Sequence, residues 1–340
     1  MASPLITVIT PFYNSMRFID APLNAVLNQT YQNWEYICVD DCSTDGTLEK
    51  LREYSAQDPR IKVIARSVNG GSAAAGFNTG IAAATGDYIQ LLGHDDELSP
   101  DCLEQIAKRI VETGAEAVIP DAKIVSTEID KNAEIFIMTG VQEKGRKGDR
   151  SVILSPREAF ALSINWKIHS WACYSADLIR RCPKLNEDLM NGDELWTRIL
   201  FLNANKIAFS KGSYVYLRRK GSISTNTNAK SFDVFRVQKE LFRLLRENCF
   251  DRKTIRICKK DLLSRARTHT NRYLFAQSTF DAEERKKAVE ILSDAWKTTF
   301  REYWYSPSFY LSLLKVWQTS RRYKKYLKLQ KKLRKKGLIN

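Results

Sequence analysis

The chain reads as an α/β protein whose sheet is flanked by helices and followed by a helical C-terminal extension. Three observations predict this. Up to about residue 120, short β-rich runs alternate with longer amphipathic stretches, the order of a parallel sheet with helical crossovers. Between residues 115 and 225 the pattern turns mixed, so the sheet is expected to be mixed as a whole, and beyond Ser231 no strand signal survives. At 340 residues, 44% hydrophobic and 27% charged, the chain can bury a large core, which excludes a disordered polymer or a disulfide-stapled miniprotein.

Leu5 to Thr10 predicts the first strand, stopped by Pro11. Ile19, Leu23, Val26 and Leu27 then recur at helical spacing between Phe18 and Asn28. Trp34 to Val39 predicts a second strand, Thr47 to Tyr54 a helix, Ile61 to Ala65 a third strand, and Ser72 to Ala84 a helix of small residues. Asp87 to Leu92 is the fourth strand. Ser99, Pro100 and Asp101 read as an N-cap, a first-turn proline and a first-turn acid, opening a helix to about Thr113. Strands near Ala117 and Ile135 follow, then a capping box at Ser155, Pro156 and Glu158 that starts a short helix. An amphipathic helix from about Asp193 to Leu202 precedes strands near Ile207 and Tyr214. Helices are predicted over Phe232 to Arg246, Lys253 to Phe275 and Ala282 to Phe300. The polar run STNTNAKS, 224–231, is the linker candidate, separating a sheet-bearing domain, 1–228, from a helical region, 229–340.

The formal charge of +15 is uneven, because residues 301–340 hold 12 basic residues against one acid, Glu302, and so account for +11. The start MASPLITVITPFYN lacks a basic n-region, and no apolar stretch approaches the roughly 20 residues that span a bilayer. The expectation is a chain without a signal peptide that is not an integral membrane protein. The seven cysteines form no CxxC pair and are odd in number, which fits reduced thiols in a cytosol, placed as small residues in core or loop, better than a disulfide frame.

In an open parallel sheet, ligands gather at the carboxyl ends of strands. Strand two ends in Asp40 and Asp41, and strand four is followed by Asp95, Asp96 and Glu97. Acids so placed repel unless a cation or donor groups sit among them, which points to Mg²⁺ or Mn²⁺ with oxygen ligands. Taken singly, Asp41, Ser43 and Asp45 read equally as turn caps. The first strand is followed by PFYNS rather than a glycine-rich loop, and no GxxxxGK[ST] occurs, which disfavours a dehydrogenase, a P-loop enzyme and a nucleotidyltransferase.

TVITPFYN, QTYQNWEYICVDDCSTDGT, NGGSAAAGFNTGIAAATGDYI and LLGHDDELSPD, in that order over about a hundred residues, resemble the nucleotide-sugar half of the family-2 glycosyltransferases. The resemblance implies a GT-A (Rossmann-like) fold, with residues 1–120 as the nucleotide-sugar half and 121–228 as the acceptor half. It implies a nucleotide pocket lined by Pro11, Tyr13 and Asn14, with Asp41 on the uracil and Asn69 and Asn78 in the donor set. The metal motif falls on Gly93, His94 and Asp95, so Asp95, with Asp96 beside it, is the expected metal pair. Gly93 replaces the family's first acid, and Phe77 stands where many relatives carry an arginine, two departures that leave a non-catalytic nucleotide-sugar-binding protein as the rival reading.

The transfer also needs a base, since a sugar hydroxyl is a poor nucleophile until its proton is taken. LNEDLMNGDELWTRILF resembles the family's acidic acceptor-side motif, which makes Asp193 the expected base and Glu194 the alternate. Their helix N-terminal position stabilises the anion and so is expected to lower its basicity. An ordinary acidic helix start is the bland alternative. YVYLRRKGSIST resembles the closing loop near the leaving diphosphate, where Arg218 or Arg219 fits, and either also reads as a surface charge. His169 sits at the turn expected to line the acceptor pocket, with a buried, hydrogen-bonded histidine as the alternative.

The activity implied is an inverting transfer of a hexose or N-acetylhexosamine from a UDP-sugar, with Mn²⁺ or Mg²⁺, to a lipid-linked, lipopolysaccharide or capsule acceptor. In the tail, Tyr310, Leu313, Leu314, Trp317, Tyr323, Tyr326 and Leu327 alternate with Arg321, Arg322, Lys324, Lys325 and Lys328. A basic helix with an aromatic face reads as lying on an anionic membrane, on the cytoplasmic side. Packing on its own domain is the other reading, and no nucleic-acid partner is expected, since no binding module is present.

Overall fold

The computed structural model describes residues 3–126, 134–141, 148–218 and 229–335. The chain divides into two compact units, Met1–Asp188 with Gly192–Ser222, and Leu189–Asn191 with Ile223–Asn340. The predicted linker lies mostly outside the described residues.

In the first unit, β1 (Ile6–Phe12), α1 (Asp20–Leu27), β2 (Trp34–Asp40), α2 (Thr47–Gln57), β3 (Ile61–Ala65), α3 (Ala73–Ala83) and β4 (Tyr88–Leu91) form the predicted βαβ series. Then come β5 (Glu97–Leu98), α4 (Cys102–Thr113), β6 (Ala117–Ser126), β7 (Glu134–Met138), α5 (Pro156–Ile164), β8 (Cys173–Ser175), α6 (Ala176–Arg180), α7 (Gly192–Asn203) and β9 (Ile207–Arg218). One sheet runs in the order β3-β2-β1-β4-β8-β6-β9-β5, with β7 paired to β6. Strands β3, β2, β1 and β4 are parallel, β8 is antiparallel to β4 and β6, and β6 and β9 are parallel again. The mixed, helix-flanked sheet is the fold class that the sequence predicts.

Helices cover both faces of this sheet, so both faces are apolar. Ile6, Val8, Tyr36 and Cys38 pack with residues of α1 and α4, while Ile9, Ile37 and Val39 pack into a second core with Phe160, Trp196 and Phe201. The alternation is the two-residue period of a strand. The small-residue composition of α3 follows from its closeness to β1: a side chain at Gly80 would lie 2.3 Å from Ile9 Cγ2, and one at Gly76 2.4 Å from Pro11 Cβ.

Three local expectations need correction. Pro11 does not end β1, because β4 stops pairing at Ile9 and the missing N–H costs no ladder bond on that side. Ser99 is not the cap of α4: Asp101 is at the N-cap position, and the Ser99 hydroxyl donates to its carboxylate at 2.8 Å. The two strands predicted near Ile207 and Tyr214 are one twelve-residue strand, β9. The capping box at Ser155 forms as predicted, its hydroxyl accepting from the Glu158 N–H.

The second unit holds a 3₁₀ turn (Ala229–Phe232), α8 (Val234–Glu247), α9 (Arg252–Ala276), α10 (Ala282–Tyr303) and α11 (Pro307–Lys335). Asp251 caps α9, and a capping box of Asp281 and Glu284 opens α10. Leu263 of α9, Tyr303 of α10 and Phe309 of α11 share an apolar cluster with Trp296. Among the described residues, no helix is long and apolar enough to cross a membrane.

Candidate active site

The register puts the acidic segments at one edge. Phe12 pairs with Asp40 at the ends of β1 and β2, and the Leu92 N–H donates to Ile9 O where β4 ends, so the segments after all three strands emerge at the carboxyl side of the sheet.

Asn14 is left-handed, with φ 45°, and stitches two of these segments together. Its N–H donates to Ser43 Oγ at 3.0 Å, and its Oδ1 accepts the Thr44 N–H at 2.8 Å. Ser43 and Asp45 are turn-formers here: the Ser43 N–H donates to Asp40 Oδ2, and Asp45 accepts from Thr47 and the Met16 N–H. Asp41 does something else. Its carboxylate accepts the Gly70 N–H at 3.0 Å and pairs with Arg66 Nε at 3.2 Å, while Asn69 Nδ2 donates to Asp41 O at 2.7 Å. Asn69 therefore shapes the turn that aims a backbone donor at Asp41. Pro11 is buried in β1 and Tyr13 leaves its ring exposed. Two buried polar atoms in this corner, Asp40 Oδ1 and Arg66 Nη1, lack hydrogen-bond partners among the described residues. Arg66 was not singled out from the sequence; a lone cation just past β3, facing strand ends rich in acid, is the signal that could have found it.

Asn78 is placed differently from its expected role on the donor. Its Nδ2 donates to Leu185 O and Glu187 Oε1, and its Oδ1 accepts the Leu185 N–H, so it fastens α3 to the loop at 185–187. Phe77, in place of an arginine, packs into the core.

The metal motif reduces to one carboxylate. Asp96 is buried, its Oδ2 accepting from Tyr214 Oη at 2.6 Å and its Oδ1 from the Leu217 N–H at 3.0 Å, so it tethers β9. A Cβ at Gly93 would lie 2.4 Å from Asp96 Oδ2, so a side chain there requires the Asp96 carboxylate to shift. Asp95 is half-buried. Among the described residues no group of three His, Cys, Asp or Glu is placed to hold a metal. The donor set fits an ion that takes most of its ligands from a substrate diphosphate and water, as Mg²⁺ commonly does, and does not fit an all-protein cage.

His169 takes the second of its two readings, a buried, hydrogen-bonded histidine. It is 3% exposed, Nε2–H donates to Pro120 O at 2.8 Å and Nδ1 accepts the Trp171 N–H at 3.2 Å. Burial holds its pKa down at about 4, so the ring is neutral and supports the turn. Beside it, Trp171 stacks on Tyr214 at 5.2 Å and Tyr216 at 5.1 Å, joining this turn to the Tyr214–Asp96 tether.

Asp193 and Glu194 open α7 but diverge in environment. Glu194 is buried and ion-paired with Arg198 at 3.3 Å, which also donates to Ser163 O. Asp193 keeps solvent access although protein surrounds it, and its pKa is raised, first by desolvation and then by the charge of Glu194. Helix-terminal amides act the other way and are outweighed, so the expected lowering of basicity is overturned. Arg218, at the end of β9, is exposed; Arg219 lies outside the described residues.

The sequence profile described as glycosyl transferase family 2 matches residues 7–166. The chain is 31% identical over 232 residues to the glycosyltransferase GlyG of Streptococcus pneumoniae serotype 4, covering 65% of this chain and 73% of GlyG. It is 43% identical over 102 residues to TuaG of Bacillus subtilis (strain 168), a glycosyltransferase named for teichuronic acid biosynthesis, covering 30% of this chain. TuaG is among the curated relatives matched over less than half their length, 40% in its case. The fold is similar to that of S. aureus TarS residues 1–349 in complex with UDP-GlcNAc, with a TM-score of 0.66 at 19% identity, covering 96% of this chain and 92% of that one.

Proposed function

The chain belongs to glycosyl transferase family 2, and we propose that it moves a hexose or N-acetylhexosamine from a UDP-sugar to a hydroxyl of a surface-polysaccharide acceptor, lipid-linked or lipopolysaccharide in type, by inverting single displacement. The observation that supports this best is Asp193, an accessible carboxylate of raised pKa at the start of α7, beside a Glu194 whose charge is already engaged. A base of raised pKa is better matched to a hydroxyl proton than an ordinary aspartate. Asp41, Asn69 and Asn14 would form the uridine side, and Tyr13 is free to cover the base. Asp95 would hold Mn²⁺ or Mg²⁺ together with the donor phosphates, supplying charge that offsets the departing diphosphate. Arg218 would add a second cation. A cytoplasmic enzyme resting on the inner face of the membrane through α11 suits a lipid-linked acceptor.

UDP release across a panel of UDP-sugars, with Mn²⁺ and acceptor, tests the proposal. UDP-GlcNAc is the first donor to try, given what TarS binds. Turnover by the wild type that is lost in Asp193→Asn supports it. Donor binding without turnover for every donor favours the non-catalytic alternative, for which Gly93 is the specific departure.

A further inference from the structure

The second unit contains a cleft of about 730 Å³ walled by α9, the end of α10 and the start of α11. Among the described residues, six cations line it, Arg252, Arg256, Lys259, Lys260, Arg267 and Lys315, and no Asp or Glu does. Only Lys259 has an acidic partner among the described residues, Glu302 at 2.7 Å. Five cations gathered in one concavity without counter-charge repel one another, and an anion entering it relieves that repulsion. Arginine forks and ammonium groups together match the oxygens of a phosphate.

The rim says what kind of phosphate. Tyr305 and Leu311 line the cleft and are exposed, and Trp304, Tyr310, Leu314 and Trp317 continue an exposed aromatic and aliphatic band along α11. A soluble anion has no use for such a band, whereas aromatic rings beside basic residues are the composition of a surface seated at lipid headgroup level. We infer that this cleft binds the phosphate headgroup of an anionic membrane lipid while the neighbouring band enters the interface. The inference rests on the proposed membrane association and deepens it: a headgroup site is stereochemical, while the tail beyond Ser320 supplies only diffuse charge.

The test is co-sedimentation of the full chain with phosphatidylcholine vesicles, with and without roughly one-third phosphatidylglycerol. Binding to the anionic vesicles is expected, and neutralising the cleft with Arg256→Gln, Lys260→Gln and Arg267→Gln is expected to weaken it at least about tenfold. Arg321→Gln, Lys324→Gln and Lys328→Gln remove the same charge from exposed positions on α11 and are expected to weaken it only about two- to threefold. Lys260→Gln alone, expected to weaken binding about threefold, serves if the triple variant loses its native circular dichroism. No binding to anionic vesicles overturns the membrane association and this inference together. Equal losses in the two triple variants overturn the inference alone. It is also overturned if inorganic phosphate or a soluble phosphodiester polymer raises the melting temperature through the cleft residues while their substitution leaves vesicle binding unchanged, for the occupant would then be a soluble anion.

Discussion

Asp193 stands in opposed fields. The amides at the start of α7 favour its anion, while desolvation and Glu194 disfavour it more strongly. Because its folded pKa lies above the unfolded one, the folded state holds this proton more tightly, and the stability it contributes is lost as pH rises from the ordinary carboxylate range through the folded value. Asp193→Asn removes that ionisation. It is expected to cut transfer by about 10²- to 10⁴-fold while melting at or above the wild-type temperature at neutral pH, a pairing that transfer assays and thermal melts at pH 5 and pH 8 can check. The same carboxylate should set the acidic limb of the wild-type pH–rate profile above the usual aspartate range. Gly93 calls for the opposite expectation. Restoring the family's acid with Gly93→Asp drives a side chain into Asp96, whose carboxylate holds Tyr214 and the Leu217 N–H. It should cost about 1–3 kcal/mol of stability without strengthening the Mn²⁺-dependent thermal shift by nucleotide sugar. A stronger shift at unchanged stability would show that Asp96 can move aside.

Among the elements, β2 is held near its start by Glu35, which accepts from Thr7 of β1, from Lys62 of β3 at 2.6 Å and from the Thr85 N–H at 2.7 Å. Burial alone would raise its pKa, but those bonds, Lys62 foremost, outweigh burial and hold it at about 2. A depressed folded pKa means stability that is present above the unfolded value of 4.5 and lost as pH falls toward 2. Glu35→Gln should therefore cost about 1–3 kcal/mol at pH 7 and flatten stability against pH across that window, as urea titrations would show. None of this was legible beforehand, because Glu35 in NWEYICV reads as one polar position in a strand. What could be read was local chemistry: the Ser155 capping box, the helix of small residues, the acids following β2 and β4. What could not be read is set by neighbours. Strands β5 and β8, two and three residues long, exist only because β9 pairs with the first and β4 and β6 pair with the second. β9 reads in the sequence as two strands, near Ile207 and Tyr214; between them lies Gly212, where a Cβ would lie 2.4 Å from Cys102 Cα and where the β6 register shifts between Ile119 and Asp121. At the site, the segments after β1, β2 and β4 and the start of α7 were legible as places. The arrangement that leaves Asp193 exposed while engaging Asp96, Asn78 and His169 depends on contacts distant in sequence.

For the molecule as a whole, the charge is segregated: ten of the twelve basic residues of 301–340 lie beyond Ser320, whereas Phe309, which packs with Leu263 and Tyr303, lies before it. A cut near Phe300 would remove Tyr303 and Phe309 from that cluster and confuse lost attachment with lost folding. A chain ending at Ser320 keeps the cluster, the cleft cations and the exposed band through Trp317. If α11 acts by diffuse attraction, each basic residue near an anionic surface contributes about 1 kcal/mol or less, a contribution that salt screens over a Debye length of about 8 Å at physiological strength. The shortened chain should then keep the wild-type melting temperature, bind anionic vesicles more than about tenfold more weakly at low salt, and show a shallower decline in binding as salt is raised. Residual binding should retain its preference for anionic over neutral vesicles, because the cleft is intact. Flotation across a salt series reads both quantities, and an unchanged salt slope would mean that the charges beyond Ser320 never approach the membrane.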